Sequence, residues 1–407
     1  MSEVVYVLGA GFNCSLVDAS FPGREAPLAR NFFQVLIRSG RLLERLDGLQ
    51  RHLHVDELLK RIEAYWHLSL EDLGTASLDI EECLTLLESL SVDGGTSVEG
   101  GGASLAAQAL RGLLLDYLSE FSIPRGGTPT SRRFGEEIMA SKSDVLTFNY
   151  DTLAEDAIAS ASGIGPNPSP PPHSVRIFGA PVPDEYLSAS HLAWKKTLAC
   201  GFEFDEVALP VAGVTQYVEG NRYYSHPENK LYESRRVLKL HGSVDWLRHT
   251  TRRAIPAEFT PEAAGTPPAG LLQESFAMWH MGEPPRRGPW YMDPLIIPPL
   301  LYKQYDDGPL PMVWAHALET LSSCRRLVVI GYSFPPTDFR TRRLFLEAFA
   351  GNHQLESLAV INPDPVVAGA VRELTRYSGP VVTCQDLTSY YGVSKSWFPD
   401  SPTPRQT

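Results

Sequence analysis

Six short apolar runs along the chain each stop abruptly at small or polar residues. Val4-Val5-Tyr6-Val7-Leu8 leads into Gly9-Ala10-Gly11, Val145-Leu146 into Thr147-Phe148-Asn149-Tyr150-Asp151, and Val237-Leu238-Lys239-Leu240 into His241-Gly242-Ser243. Further on, Arg326 to Ile330 leads into Gly331-Tyr332-Ser333, Leu355 to Ile361 into Asn362-Pro363-Asp364, and Val381 to Thr383 into Cys384-Gln385-Asp386. Nearly continuous apolar segments of this length are the pattern of strands buried on both faces, as in a parallel sheet covered by helices. The intervals between them carry helical spacing. Asp79 with Glu82 forms a capping-box pattern ahead of Ile80, Leu84, Leu87 and Leu90, and Ser104 precedes Leu105, Ala109, Leu113, Tyr117, Leu118 and Phe121. Val55 to Trp66, Thr152 to Ala159 and Arg340 to Phe349 also read as helices. Strand and helix alternate, which places the chain in the α/β class.

Two tracts interrupt the alternation. Asp93 to Gly102, rich in glycine and poor in apolar anchors, reads as a mobile loop between two helices. Gly165 to Pro172 holds five prolines, is stiff and extended, and opens a mixed, aromatic-containing stretch. Residues 160–235 are therefore expected to form an inserted subdomain. Residues 250–289, with their own proline and glycine content and with Trp279 and Trp290 nearby, are expected to form a second insertion. The remaining divisions are a core segment 1–159 with a helical insertion over about 40–135, a core strand in 236–249, a core segment 290–393, and a polar, poorly ordered tail 394–407.

At 407 residues the chain can hold one large core or two to three domains, taking roughly 100 to 200 residues per domain. Its net charge of −12 argues against sequence-independent nucleic-acid binding, which needs a basic face. The first apolar run is short, lacks a basic region before it and enters a glycine turn, so it does not read as a signal peptide. No stretch reaches the roughly 18 apolar residues that span a bilayer. A cytoplasmic protein without membrane attachment is expected. The five cysteines (Cys14, Cys83, Cys200, Cys324, Cys384) contain no C-x-x-C pair and fit neither a disulfide framework nor a cysteine-rich zinc site. No metal is expected.

In an open parallel sheet, ligands bind at the carboxyl ends of the strands, so the run endings are where chemistry would sit. Gly9-Ala10-Gly11 offers backbone amides to a phosphate, or merely closes a strand-to-helix corner. A dinucleotide fingerprint would need a third glycine where Cys14 stands and an acidic strand end some 20 residues on. Both are missing, which disfavours an ordinary hydride-transferring dehydrogenase. Asn149 and Asp151 lie two apart at a strand end and would point to one side, an amide beside a carboxylate, suited to fixing a carboxamide or a water; alternatively Asp151 caps the helix after it. His241 ends an apolar strand and is followed by glycine, a place for a general base. His52, His54 and His316 read as helix or surface residues. Gly331 to Asp338 combines a hydroxyl at Ser333, two prolines and a helix cap at Thr337 or Asp338. Asn362 and Asp364 end the next strand, and both groups can hold a ribose or serve only the loops.

Taken in order, GAGFN (9–13), LTFNYD (146–151), LKLHGSVDW (238–246), VVIGYSFPPTD (328–338) and VINPD (360–364) resemble the SIR2-like domain of prokaryotic defence proteins, relatives of the sirtuins. The resemblance spans most of the chain. It implies a Rossmann-like parallel sheet with helices on both faces, helical and irregular inserted subdomains, and no zinc ribbon. It implies that Gly9, Ala10 and Gly11, with Phe12 and Asn13, hold the pyrophosphate of NAD, that Asn149 and His241 are catalytic, and that Gly331, Ser333, Asn362 and Asp364 lie on the adenosine side. Asp151 matches the acidic residue that sirtuins place at the nicotinamide carboxamide. The chain departs from sirtuin deacylases in lacking their four zinc cysteines and in carrying Asn13 where they carry serine. The implied activity is hydrolysis of NAD as substrate to nicotinamide and ADP-ribose, by a toxic effector of anti-phage abortive infection gated by oligomerisation or a partner. A homo-oligomer, a HerA-type ATPase or a short Argonaute is the implied partner. The competing expectations are an NAD-dependent protein deacylase and a non-catalytic subunit that senses NAD or ADP-ribose.

Overall fold

A computed structural model of the chain describes residues 3–16, 25–40, 42, 54–94, 98–119, 128–141, 143–161, 176–177, 180–181, 200–202, 206–211, 214–219, 236–253, 271–279, 293–303 and 305–397. The six apolar runs form a single parallel sheet. Its strands are β1 (Val4–Leu8), β2 (Asp144–Thr147), β3 (Val237–Lys239), β4 (Arg326–Ile330), β5 (Ser357–Ile361) and β6 (Val381–Cys384), in the spatial order β6-β5-β4-β1-β2-β3. All five pairings are parallel. This is the order of a doubly wound, Rossmann-like sheet, and its direction of winding reverses between β1 and β4.

Alternation along each strand explains the two-sided burial. Tyr6 and Leu8 of β1, Val145 of β2, Val237 of β3, Val328 and Ile330 of β4, and Ala359 and Ile361 of β5 point into one core. Val5, Val7, Leu146, Leu238, Leu327, Val329, Leu358 and Val360 point into the other. The first core is covered by α1 (Ala10–Leu16), α2 (Phe32–Arg38), α3 (Val55–Trp66), α4 (Ile80–Gly94), α5 (Val98–Ser119), α6 (Pro129–Ser141) and α7 (Leu153–Ala161). The second is covered by α8 (Leu310–Ser323), α9 (Phe339–Gly351) and α10 (Val366–Thr375), while α11 (Leu387–Trp397) returns to the first. No helix of the described residues is long and apolar enough to cross a membrane.

Several local expectations change. The glycine tract is not a loop at either end: Gly94 closes α4, and Gly100, Gly101 and Gly102 lie inside α5, whose start precedes Ser104 by six residues. Glycine costs a helix about 1 kcal/mol relative to alanine, and tertiary packing overrides that here. A β-carbon on Gly102 would stand 2.4 Å from Arg61 Nη2 and 2.7 Å from Glu57 Oε1, the mobile ends of two α3 side chains that would have to move aside. Residues 95–97 lie outside the described residues. Asp79 caps α4 by accepting from the Glu81 amide (2.9 Å), but Glu82 accepts from the Trp66 indole (3.4 Å) rather than completing a capping box. The expected tail begins later than Ser394, because α11 runs to Trp397; residues 398–407 lie outside the described residues.

The expected insertions lie largely outside the described residues, as do Trp290 and the Gly165–Pro172 tract. Within the first, Arg176–Ile177 pairs with Ala180–Pro181 in a separate two-stranded antiparallel sheet, and the longer described strands of both insertions share one five-stranded sheet. Glu206–Val211 and Val214–Glu219 of the first, Leu271–Trp279 of the second, and the flanking strands Gly242–Arg253 and Asp293–Ile296 all belong to it. The strand Gly242–Arg253 begins one residue after His241, so the chain passes from the core sheet to the second sheet at the candidate histidine.

The reversal point is built from glycine backbones in contact. Gly9 N donates to Ile330 O (3.0 Å), Gly11 N to Gly331 O (3.0 Å), and Gly331 N to Ile361 O (2.9 Å). Gly331 holds φ +62°, and a β-carbon there would lie 2.2 Å from Phe12 N. A left-handed conformation costs a non-glycine residue roughly 1–2 kcal/mol, and the overlap adds to it. Gly331→Ala is therefore expected to lower stability by about 3 kcal/mol, read from denaturant unfolding, whereas Gly351→Ala, where a β-carbon meets nothing within 4 Å, serves as the matched control.

Candidate functional site

The endings of β1, β2 and β3 come together on the carboxyl side of the sheet. Phe148 N donates to Leu8 O (3.0 Å) and Leu240 N to Thr147 O (2.9 Å), so the sheet ladder carries on past the strands and sets Asn149 and His241 at neighbouring exits. Three of the expected residues form one buried hydrogen-bonded chain there. Asn149 donates through Nδ2 to Gly9 O and to Asn13 Oδ1 (both 3.1 Å), and Asn13 Nδ2 donates to Asp151 Oδ2 (2.6 Å). Asp151 Oδ1 accepts from the Leu153 amide (3.0 Å), which caps α7. Both carboxylate oxygens of Asp151 are thus occupied, and the side chain orients Asn13 and the helix start rather than opening toward the crevice.

The glycine turn is less open than its sequence suggests. The amides of Gly9 and Gly11 donate into β4 and its exit, and Phe12 N donates to Gly9 O (2.9 Å). The Phe12 ring is fully buried against Phe134 (centroids 4.8 Å), so its side chain belongs to the core. On the β4 and β5 side, Ser333 is exposed between the buried Tyr332 and Phe334. Asn362 Nδ2 donates to Tyr332 O (3.4 Å) while its Oδ1 accepts from Asp364 N (3.0 Å). Asp364 accepts from Val366 N (3.0 Å), capping α10. Loop and cap chemistry therefore occupies Asn362 and Asp364, with Ser333 left at the surface.

His241 is buried (6 % exposed) and walled by aromatic rings. Phe148 meets it edge-on at 5.2 Å, Tyr150 lies at 6.1 Å and Tyr305 at 6.2 Å, and Phe148 stacks on Tyr332 at 4.1 Å. Its backbone is fixed as well: Ile297 N donates to His241 O (2.8 Å), and a β-carbon on Gly242, at φ +79°, would lie 2.0 Å from Leu295 O.

Residues that the sequence did not single out for chemistry complete this wall. Asp338 stands at the start of α9 yet makes no side-chain cap; its carboxylate turns inward instead. Tyr305 donates to its Oδ1 (2.9 Å), Tyr332 donates to its Oδ2 (2.5 Å), and His241 Nε2 faces Oδ2 at 3.4 Å. Burial alone would push the Asp338 carboxyl up, but His241, the Tyr332 hydroxyl and the Lys303 ammonium overcome it and hold it well below the usual carboxylate range. Tyr305 and Tyr332 are held protonated, first by burial and then by that same charge.

Beneath the polar chain lies a buried ion pair. Lys239 Nζ, on a side chain 2 % exposed, meets Glu155 Oε1 at 3.0 Å and donates to the Asp151 carbonyl. Burial opposes the ammonium, but the carboxylates of Glu155, Asp245 and Asp151 overcome it and hold its proton on. The cost falls on Glu155, whose carboxyl burial pushes up. A lysine inside the apolar run Val237 to Leu240 was the one sequence signal of this pair. No protein-family model matches the chain, and no curated protein matches it.

Removing one member of a buried pair leaves an uncompensated charge, at a cost of about 3–5 kcal/mol. Lys239→Met is expected to lose stability on that scale in denaturant unfolding, and Lys239→Met with Glu155→Leu is expected to recover most of it. A double variant no more stable than the single one would contradict the pairing.

Proposed function

We propose that the protein is an NAD glycohydrolase that cleaves NAD to nicotinamide and ADP-ribose. The observation that carries this reading is the buried chain from Asp151 through Asn13 to Asn149, set beside His241 at the carboxyl ends of adjacent parallel strands. Asn13, Asn149 and Asp151 satisfy one another there, but the buried His241 Nε2 beside them has no hydrogen-bond partner among the described residues, and a buried group left so costs about 1–3 kcal/mol, which favours a residue kept for a ligand site over a purely structural one. The motif order GAGFN, FNYD, HGS, GYSF and INPD supports the choice of NAD among ligands of such sheets.

The chemistry asked of the site is modest. Nicotinamide leaves as a neutral pyridine from a cationic ribosyl pyridinium, so no acid is needed to protonate it. Positioning, and stabilisation of positive charge on the ribose, suffice. In this reading Asn149 orients water or a ribose hydroxyl, held in place by Asn13, and Asp151 acts one step back as the residue that fixes Asn13. His241 receives the proton of the attacking water or of the ribose hydroxyl. Unchecked NAD loss is lethal to a cell, so activity is gated by self-assembly or by a partner.

NAD, nicotinamide and ADP-ribose are to be quantified by mass spectrometry, in cells overproducing the chain and in reactions with the purified protein. NAD loss matched by nicotinamide and ADP-ribose is expected, falling at least about 100-fold in Asn149→Ala and in His241→Ala with the fold retained. Equal loss in both variants, NAD recovered intact throughout, or O-acyl-ADP-ribose formed with an acyl-lysine peptide would each overturn the proposal.

A further inference from the structure

We propose that Asp338 is the positioning residue of His241: its carboxylate anchors Nε2–H, which leaves Nδ1 as the nitrogen that does the chemistry. This rests on the reading of His241 as the base of an NAD-cleaving site, and it decides which atom of the ring is reactive. Three features of the structure point to it.

The first is burial. His241 Nε2 is shielded from solvent and lies 3.4 Å from Asp338 Oδ2, just outside the alignment of a hydrogen bond, with no other hydrogen-bond partner among the described residues. A buried ring nitrogen left without a partner costs about 1–3 kcal/mol, and a small rotation of the ring removes that cost by pointing Nε2–H at the carboxylate. The second is the way the carboxylate is held. Tyr305 and Tyr332 donate to its two oxygens from separate segments, so its place is set independently of the histidine. His241 and the Tyr332 hydroxyl, and after them Lys303, itself 2 % exposed and paired with Glu81 Oε1 at 3.1 Å, keep the carboxylate ionised and able only to accept. The third is the departure from local rules. An aspartate at a helix start ordinarily caps the helix, and here the cap is forgone. A forgone cap with a fully satisfied inward carboxylate marks a residue kept for the site.

The arrangement works as an oriented base. With Nε2–H anchored, the neutral ring presents its lone pair at Nδ1. That nitrogen takes a proton from water as the water oxygen bonds to the anomeric carbon of the ribose. The bond from that carbon to nicotinamide breaks, and its electron pair leaves with the nicotinamide nitrogen. The imidazolium that forms lies against the ionised Asp338, which stabilises it without accepting the proton, and the proton is then lost to solvent. The aromatic wall of Phe148, Tyr150 and Tyr305 keeps this pair in a poorly screening environment, where opposite charges interact more strongly than in water.

The test reads the ring directly. Protein labelled with 15N at histidine is compared by NMR with His241→Ala, whose missing signals identify His241. In the pH range where the ring is neutral, protonation at Nε2 is expected for the wild type; a neutral ring protonated at Nδ1 would overturn the assignment, whether or not NAD is turned over. In Asp338→Asn the His241 signals are expected to shift to a mixture of the two neutral forms. NAD turnover is expected to fall at least about 100-fold in that variant, with NAD still bound. Unchanged ring signals in the folded variant, or unchanged turnover, would count against Asp338. If the tautomer is as proposed and the wild type leaves NAD intact, the dyad stands and the NAD-cleaving reading fails. If Asp338→Asn does not fold, the wild-type spectrum alone still decides the tautomer, and Tyr305→Phe, which removes one of the two bonds holding the carboxylate, is expected to lower turnover several-fold.

Discussion

The contact on which the rest of the molecule depends is backbone against backbone, where the exit of β1 meets the exit of β4. Gly9, Gly11 and Gly331 interlock there so closely that a single methyl group on Gly331 would lie 2.2 Å from the Phe12 nitrogen. Around that point the sheet reverses its direction of winding, and the two cores separate to its two sides. The contact also aligns the exits of β1 and β2, so that Asn149 can reach Gly9 O and Asn13. The glycines thus serve first to bring strand ends together, and their amides are taken up by the carbonyls of Ile330, Gly331 and Ile361.

The core sheet was legible because its strands, all but the half-exposed edge strand β6, are buried on both faces. Runs such as Val4 to Leu8 and Arg326 to Ile330 cannot be read as half-exposed strands, and their endings fall where the polar side chains cluster. The second sheet was not legible. Its strands are drawn from two stretches of mixed composition and from residues that follow His241, and they lack the continuous apolar runs that mark strands buried on both faces. The glycines of α5 misled for a related reason. Propensity describes an isolated helix, whereas α5 is held by the core into which Ala106, Leu110, Leu113 and Tyr117 pack.

The candidate site divides along the same line. Asn149, Asp151 and His241 announced themselves by standing where apolar strands end. The roles within the group did not, because Asp151 Oδ2 is spoken for by a residue 138 positions earlier in the chain. Asp338 looked like a cap because a cap is what a local rule assigns to an aspartate before a helix; only the distant placement of Tyr305 and His241 shows otherwise. Tyr305 carries no signal in its neighbourhood at all. Lys239, by contrast, was an anomaly visible in the run itself, since a buried strand tolerates an ammonium only opposite an acid.

The passage of the chain at His241 has one further consequence. The strand that starts at Gly242 is 12 residues long, about 40 Å of extended chain reaching into the second sheet. Its root is clamped on both flanks, by Ile297 N on His241 O and by Val244 N on Tyr150 O (2.9 Å), and Gly242 is packed too tightly to swivel. The imidazole therefore sits at the seam where the core sheet ends and the second sheet begins, and its aim is set jointly by both sheets.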